Sequence, residues 1–535
     1  MKRRNKFMYS ALLLSSIALL GACGSSNDTN SSDGGGKESA EVSGNLEFED
    51  PGTLNIYFFN EGKNVDKVVK KFEDETKDTL NTKLNFNWTT DHKQEMPLKF
   101  TAKEPVDLTF DAYWQNLAKN KGDKVYADLS GYLENDDYPG LKKAFSPDLL
   151  DLVREADGSI YSLPLVQLHG GNQAQGFIVD GKLRKKYNLP EVTDEETYKQ
   201  FLDTMYEHQE EEGLTSVMSL WGVCWSDFLA QKNEKLANNI VTVSNFDVQL
   251  NEDATKVVGV LGVGDDDDAA KDFAGDFQGT NYLRDRFKLF ADEYGKYVDE
   301  NALNPSDTGV SKNASTFTFL SEWPSKKIDA EEDGQEPELY IAQEEISNGE
   351  GKVYEDMTSA NNFMVVPAYS KNIDRTMAFL NWVYASQENW DLWNYGIEGE
   401  DFEAVGDKEY NPLSPSDKYS FPVYEMTDNA TYTRIDSSLD DRSKEMFEFV
   451  LDENNFEPNP LAGFMFDAAA TPMISQSAAS YNTIYGDYSG YFATGLYGDT
   501  FDKKYDEFVK RSEKDAKVMK EEIETQVQAF LDARN

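Results

Sequence analysis

Residues 53–59, Thr-Leu-Asn-Ile-Tyr-Phe-Phe, form an apolar run rich in β-forming residues, and a glycine-containing turn follows them. The next apolar residues recur at helical spacing: Val65, Val68, Val69 and Phe72. Residues 84–88 alternate apolar and polar side chains as a second strand, and after another helix-like stretch residues 106–110 predict a third. The order strand, helix, strand, helix, strand is typical of a parallel sheet with helices on both faces. We therefore predict an α/β fold.

The ends of two of these strands carry the first candidate site. Ligands of such sheets bind beyond the carboxyl ends of the strands. Aromatic rings offer flat apolar surfaces, and carboxylate and amide groups offer fixed hydrogen bonds, so together they can hold a small polar ligand. The first and third strands end at residues of these types, which we predict to contact a ligand: Asn60, Glu61, Asp111, Tyr113 and Trp114. For the aromatic residues, packing in the core or at a lobe edge remains the alternative.

The composition excludes several classes of function. The 535 residues contain 98 Asp and Glu against 52 Lys and Arg, a formal charge of −46, which repels nucleic acid and anionic lipid head groups. Three histidines and two cysteines leave little for zinc sites or Cys-His nucleophile pairs. No G-x-S-x-G, H-E-x-x-H, Walker or G-x-G-x-x-G motif is present. We expect a protein that is not an enzyme and has no cofactor and no metal, and we interpret the acidic run 265–268 as a solvated insertion rather than a calcium loop.

The first residues predict a secretion signal and a lipid anchor. Four basic residues precede the apolar run 11–20, which is too short to span a membrane comfortably. The sequence Leu20-Gly21-Ala22-Cys23 resembles the bacterial lipobox, in which the signal is cleaved before the cysteine and acyl chains such as palmitate anchor the protein. We predict residues 1–22 as the signal peptide, Cys23 as the lipid attachment site and residues 23–52 as a flexible tether. The mature protein is then expected on the outer face of the cytoplasmic membrane, with no disulfide.

Several longer stretches resemble one family. They are residues 157–164 (Asp-Gly-Ser-Ile-Tyr-Ser-Leu-Pro), 177–187, 366–381, 395–399 (Tyr-Gly-Ile-Glu-Gly) and 463–467. Together with the lipobox they are similar to the family 1 extracellular solute-binding proteins of bacterial ABC importers, in particular the long, carbohydrate-type lipoproteins of Gram-positive bacteria. One departure is that Glu400-Asp401-Phe402 follows residues 395–399, where long members usually have a basic or His residue and a Tyr. Ligand preference is expected to differ if that position contacts ligand.

The resemblance implies an architecture and partners. It implies a two-lobed, periplasmic-binding-protein-like (type II) clamp with discontinuous lobes and a ligand cleft between them, which closes about a hinge. The lobe map is residues 53–163 and 342–387 for lobe 1, and 164–341 and 388–535 for lobe 2 with a C-terminal helical region. The implied partners are a carbohydrate, the transmembrane permease subunits and, through Cys23, the bilayer. We expect a monomer.

Further candidate ligand residues lie outside the first strands. Gln167 and His169 follow the lobe crossover beside glycines that allow close backbone approach, although a solvent-facing loop is the alternative for His169. The other candidates are aromatic, with buried core as the alternative: Trp221, Trp225, Trp323, Trp393 and Tyr395.

The function expected from these observations is capture of an extracellular oligosaccharide for an ABC importer. Three alternatives remain at this point: a surface enzyme that degrades glycans, a glycan adhesin without a transport role, and a peptide-binding receptor. ATP hydrolysis would belong to a separate subunit, since this chain has no Walker motif.

Overall fold

A computed structural model describes residues 46–155, 157–170, 173–219, 232–265, 284, 288, 292–298, 313–355, 361–413, 419–495 and 497–534. Contacts divide the chain into residues 1–41 and 42–535, and all described residues belong to the second unit. The predictions for Cys23, Trp221, Trp225 and residues 266–268 lie outside the described residues.

The described strands are β1 (Gly52–Phe58), β2 (Thr82–Trp88), β3 (Leu108–Ala112), β4 (Leu163–Leu165), β5 (Gln175–Asp180), β6 (Ser216–Ser219), β7 (Ile240–Val243), β8 (Phe246–Leu250), β9 (Val257–Leu261), β10 (Asn313–Phe319), β11 (Pro337–Ile341), β12 (Val353–Tyr354), β13 (Asn362–Val365), β14 (Phe402–Val405), β15 (Glu409–Pro412), β16 (Ile435–Asp436) and β17 (Phe456–Glu457).

The described α-helices are α1 (Val65–Thr76), α2 (His92–Ala102), α3 (Leu117–Gly122), α4 (Ser130–Leu133), α5 (Pro139–Ala144), α6 (Pro147–Asp151), α7 (Gly181–Lys186), α8 (Glu195–Glu207), α9 (Gln209–Glu212), α10 (Lys232–Ala237), α11 (Trp323–Glu332), α12 (Glu344–Asn348), α13 (Ile373–Val383), α14 (Gln387–Asn394), α15 (Val423–Met426), α16 (Asp441–Leu451), α17 (Pro472–Thr494) and α18 (Phe501–Arg534). Short 3₁₀ turns lie at Gly295–Tyr297, Leu320–Glu322, Glu453–Asn455 and Gly498–Thr500.

The first sheet has the strand order β2-β1-β3-β13-β4. Strands β2, β1 and β3 are parallel, as predicted, because each is followed by a helix that returns the chain to the starting edge. Strand β13 is antiparallel to both β3 and β4, which corrects the expectation of a purely parallel sheet. The reason is its origin: the chain enters β13 after the second sheet, at Asn362 opposite Ala112, and so runs away from the carboxyl edge of β3.

The second sheet has the order β11-β5-β10-β6 and a separate apolar core. The chain passes between the two sheets three times, after β4, between β11 and β13, and between α15 and α16. Two of these crossings touch, since Val166 N donates to Asp428 O and Ala430 N donates to Val166 O. The architecture is the predicted type II clamp, in which discontinuous segments build two lobes.

The packing assigns one region differently from the lobe map above. Trp390, Trp393, Phe421 and Met426 belong to the apolar core of the first sheet, although the map placed residues 388–432 in lobe 2. The reason is that α14 continues directly from α13, and its buried aromatic face packs on the same sheet. The other domain boundaries stay a prediction.

The C-terminal region forms a third core. Strands β7, β8 and β9 form an antiparallel meander that packs, with an apolar cluster rich in aromatic residues, against α17 and α18. The C-terminal region that the lobe map described as helical contains α17 and α18. Within the described part of the chain, no helix combines the length and apolarity needed to cross a membrane.

Candidate functional site

The carboxyl edge of the first sheet carries a cluster of aromatic rings, which we call the aromatic rim: Phe59, Trp114 and Tyr424, packed around Phe110. The ring centroid of Phe59 lies 6.1 Å from Trp114 and 5.8 Å from Tyr424, in both cases edge to face. Phe110 lies 5.8 Å from Trp114 and 5.9 Å from Tyr424. The predicted strand ends therefore do come together, and Tyr424 joins them from a segment more than 300 residues away along the chain.

Trp114 is the exposed member of the aromatic rim. Its side chain is 51% exposed, while its Nε1 donates a hydrogen bond of 3.1 Å to Asn362 Oδ1. The backbone carbonyl of Trp114 accepts from Lys93 Nζ at 2.8 Å. A ring that is bonded at its Nε1 edge, on a backbone that is itself held, and open to solvent is a surface on which the C–H face of a sugar can stack.

Asp111 organises the loop that carries Trp114. Its carboxylate is buried: Oδ1 accepts from the backbone N–H groups of Ala112 (2.8 Å) and Asn116 (3.0 Å), and Oδ2 accepts from Asn120 Nδ2 (2.9 Å) and from the Tyr126 hydroxyl. Burial and the charge of Asp111 raise the pKa of Tyr126. These bonds occupy the carboxylate, so we replace the predicted ligand contact with a positioning role.

His92 supports the aromatic rim from below. It is buried, its Nε2 donates to Phe110 O (3.0 Å), and its Nδ1 accepts from the Thr89 hydroxyl (2.8 Å). Its ring lies 5.4 Å from Phe59. Burial lowers its pKa, which favours the neutral imidazole. His92 thus holds Phe59 and Phe110 in place without adding charge.

The two amides beside the aromatic rim differ in how they are held. Asn60 is exposed and donates from Nδ2 to Glu425 Oε1 at 2.8 Å. Asn362, at the start of β13, is half-buried and receives the Trp114 indole hydrogen. Glu61, the next residue after Asn60, is exposed. Asn362 therefore places an amide directly at Trp114, and Asn60 places another at the end of β1, beside Tyr424.

Side chains of the second lobe and the C-terminal region face this edge. The Tyr113 hydroxyl donates to Met465 Sδ, and Lys121 Nζ lies 3.9 Å from the same sulfur. Burial and the Glu425 charge raise the pKa of Tyr424, and the charge of Glu322, at the carboxyl end of β10, contributes in the same direction. The aromatic rim therefore lies at the boundary between the first sheet and the rest of the clamp.

Gln167 and His169 lie on the crossing segment. Both are half-buried; Gln167 O accepts from the Thr433 hydroxyl at 3.5 Å, and His169 N donates to Val450 O at 3.0 Å. The His169 ring packs at 5.8 Å from Phe456, and burial lowers its pKa. No recorded contact joins either residue to the aromatic rim among the described residues.

The other aromatic candidates are core residues, which corrects their prediction as platforms. Trp323 is 1% exposed, and its Nε1 donates to Ser443 Oγ. Trp393 is fully buried among Phe72, Phe86, Phe379 and Phe421. Tyr395 stacks on Tyr410 at 4.1 Å and exchanges hydrogen bonds with the Arg434 backbone. Because these ring faces are covered by protein, we leave the three residues out of the site.

Sequence reasoning missed three residues of this edge: Asn362, Tyr424 and Glu425. Asn362 precedes an apolar strand, where an amide is unremarkable, and the short helix α15 has no periodic pattern that would have singled out Tyr424 and Glu425. Among the residues that the structure describes, no group of three or more His, Cys, Asp or Glu side chains is arranged to hold a metal ion. The site thus combines aromatic faces and amides, which suit recognition by stacking and hydrogen bonding.

No protein-family profile matches the chain, and no curated protein sequence matches it. Solved structures do match. The N-glycan transport solute-binding protein NgtS of Streptococcus pneumoniae is 17% identical with a TM-score of 0.64, covering 91% of this chain and 100% of that chain. The S. pneumoniae ABC-transporter substrate-binding protein FusA, in complex with kestose, is 13% identical with a TM-score of 0.55 (90% and 99%). An HMO-binding, ABC-transporter-associated solute-binding protein of Bifidobacterium longum infantis is 14% identical with a TM-score of 0.52 (90% and 99%). At these identities the similarity shows the fold, which is the two-lobed clamp of these proteins.

Proposed function

We propose that this protein is the lipid-anchored substrate-binding subunit of an ABC importer and that it captures an extracellular oligosaccharide. The observation that carries the proposal is the half-exposed Trp114 ring, bonded to Asn362 and packed on Phe59, at the edge where ligands of such sheets bind. The fold supports it, because NgtS, FusA and the HMO-binding protein are solute-binding proteins of this architecture and their names or complexes specify glycans.

The proposed mechanism is hinge closure. A ligand stacked on Trp114 would also contact side chains of the second lobe, so it binds the closed clamp more tightly than the open one. That difference in affinity shifts the population toward the closed form, which the permease recognises. The chain carries out no chemical step, and the ligand leaves unchanged.

Thermal unfolding of a protein that starts after Cys23 tests this function. The panel contains Man5GlcNAc, kestose and maltotriose, with tripeptides as the matched control. A ligand that binds only the folded state raises the melting temperature, because at 100 times its Kd it adds about 2.7 kcal/mol to the free energy of unfolding. A rise with a glycan and none with peptides, together with unchanged glycan mass after incubation, supports capture of a sugar. A rise with peptides alone, or cleaved glycan, contradicts the proposal.

The proposed anchor is tested separately in a bacterial host. The full chain is expected in the membrane fraction and should incorporate a labelled fatty acid. Cys23→Ser should abolish the label and release the protein, because two or more acyl chains are needed for stable anchoring. Cys224→Ser is the matched control and should stay at the membrane. Equal labelling of wild type and Cys23→Ser would refute the anchor but not the binding function.

A further inference from the structure

Glu425 is a buried carboxylate directly under the exposed end of β1. It lies on α15 with no exposed surface. Its Oε2 accepts from Phe59 N at 2.9 Å, and its Oε1 accepts from Asn60 N at 3.0 Å and from Asn60 Nδ2 at 2.8 Å. All three donors lie on Phe59 and Asn60, the two residues that directly follow β1. A single side chain therefore holds the tip of the strand.

These bonds give the Asn60 amide a direction. An amide has a donor end and an acceptor end, and the partner decides which end faces it. Here Nδ2 faces the Glu425 carboxylate and also contacts the Tyr424 hydroxyl. Within the described part of the chain no recorded hydrogen bond ends on Asn60 Oδ1, and the residue is exposed. The amide thus keeps its acceptor end for a ligand.

We propose that Glu425 is a positioning residue for ligand capture: as a carboxylate it fixes Asn60 with the carbonyl oxygen available, so that the site selects a ligand that donates a hydroxyl or amide hydrogen there. This inference rests on the proposed function, and it adds to it the polarity of one ligand contact.

The charge of Glu425 is open to change. Burial raises its pKa to about 7, although its hydrogen bonds to Phe59 and Asn60 favour the charged form. Oε1 accepts two hydrogen bonds from Asn60, so a proton on Oε1 competes with the Asn60 amide, and a proton on either oxygen removes the charge that strengthens these bonds. Protonation therefore weakens the hold on the Asn60 amide, and we expect affinity to fall as the pH falls through 7.

Other titratable groups surround Glu425 and need separate tests. Helix α15 packs on β3, β4 and β13, and neither β4 nor β13 carries a titratable side chain. Tyr424 and Asp428 lie on its own segment, and Asp111 lies on β3. Glu61 follows the end of β1, and His92 begins α2. Glu322 lies at the carboxyl end of β10 and acts on Tyr424. Asp428 would titrate in the same pH range as Glu425, because burial raises its pKa to about 7 as well. It has no recorded bond to Asn60, so Asp428→Asn is a matched control.

The first arm of the test uses no ligand. In protein labelled with ¹⁵N-asparagine, the Asn60 side-chain NH₂ signals, assigned by their loss in Asn60→Ala, are followed from pH 5.5 to 8.5. We expect them to titrate near pH 7 in the wild type and in Asp428→Asn, and not in Glu425→Gln. Signals that titrate equally in Glu425→Gln, or that keep their wild-type shifts in Glu425→Gln at pH 8.5, would overturn the inference.

The second arm measures affinity for Man5GlcNAc and kestose by calorimetry at pH 6, 7 and 8. If only the ionised form binds, a pKa of about 7 makes wild-type affinity about tenfold weaker at pH 6 than at pH 8. Asn60→Ala, an exposed change that spares the fold, should bind weakly with a flat profile, and Asp428→Asn should keep the tenfold change. Wild-type affinity retained by Glu425→Gln at pH 8 would overturn the inference, while binding itself upholds the proposed function. Absence of binding at every pH refutes the capture role even if Asn60 titrates.

Discussion

Replacement of Trp114 with alanine should weaken ligand binding and leave the fold intact. A tryptophan side chain presents roughly 250 Å² when fully exposed, and Trp114 is 51% exposed. About half of that remaining surface is one ring face, so a stacked sugar covers roughly 60 Å² of it and more at the edges. At about 25 cal/mol per Å² this is about 1.5 to 3 kcal/mol, which corresponds to a roughly ten- to 150-fold higher Kd.

Calorimetric titration of Trp114→Ala with the glycan found in the thermal panel measures this loss. Trp114→Phe keeps a flat ring but loses the bond to Asn362, so it should fall between wild type and alanine. Tyr206→Ala is the matched control, because Tyr206 is 45% exposed on α8, against the second sheet, and should not change the Kd. A Kd for Trp114→Ala within twofold of wild type, about 0.4 kcal/mol, would refute the stacking role.

Three further predictions concern buried charges. Asp111→Asn should lower the free energy of unfolding in urea by about 1 to 3 kcal/mol, since the Tyr126 hydroxyl loses its acceptor, and should weaken glycan binding because the loop loosens; unchanged stability would contradict this. Arg434→Met should lower the free energy of unfolding by about 3 to 5 kcal/mol, because it leaves the buried Asp391 carboxylate, 2.9 Å from Arg434 Nε, without its partner. The double variant Arg434→Met, Asp391→Leu should recover most of that loss. A loss below about 1 kcal/mol in the single variant would show that the pair is solvated. Burial raises the pKa of Asp428 from 3.8 to about 7, so the folded state binds more protons than the unfolded state between these values and wild-type stability falls as pH rises through them. Asp428→Asn should therefore gain stability relative to wild type between pH 5 and pH 8, by about 4 kcal/mol at most, and a pH-independent difference in urea unfolding would refute this.

The regular elements of the first sheet were predictable because their patterns are local. Alternation at residues 84–88 and the helical spacing after Val65 produced the strands and helices expected of them. The direction of β13 was not predictable in the same way. It depends on where the chain returns from the second sheet, about 200 residues after β4, and no local pattern records that path.

The site was predicted in part for the same reason. Trp114 lies on the loop that follows β3, so its place at the carboxyl edge follows from the order of strands. The roles of Asp111 and Trp393 did not follow from the sequence. The Asp111 carboxylate is bonded to its own loop and Trp393 is enclosed in a core, and the sequence does not distinguish such residues from ligand contacts. Burial of a side chain is a property of all the segments around it.

The sequence by itself determined the α/β class, the clamp architecture through resemblance, and the strand ends that form one side of the aromatic rim. Periodicity and strand order act over tens of residues, so they can be read directly from the chain. Only the tertiary structure brought Tyr424 and Glu425 to Phe59 and Asn60, across more than 360 positions. It also buries Glu425. A carboxylate can leave water only where hydrogen-bond donors replace the water, and here the three donors at the end of β1 do so once α15 packs on the first sheet.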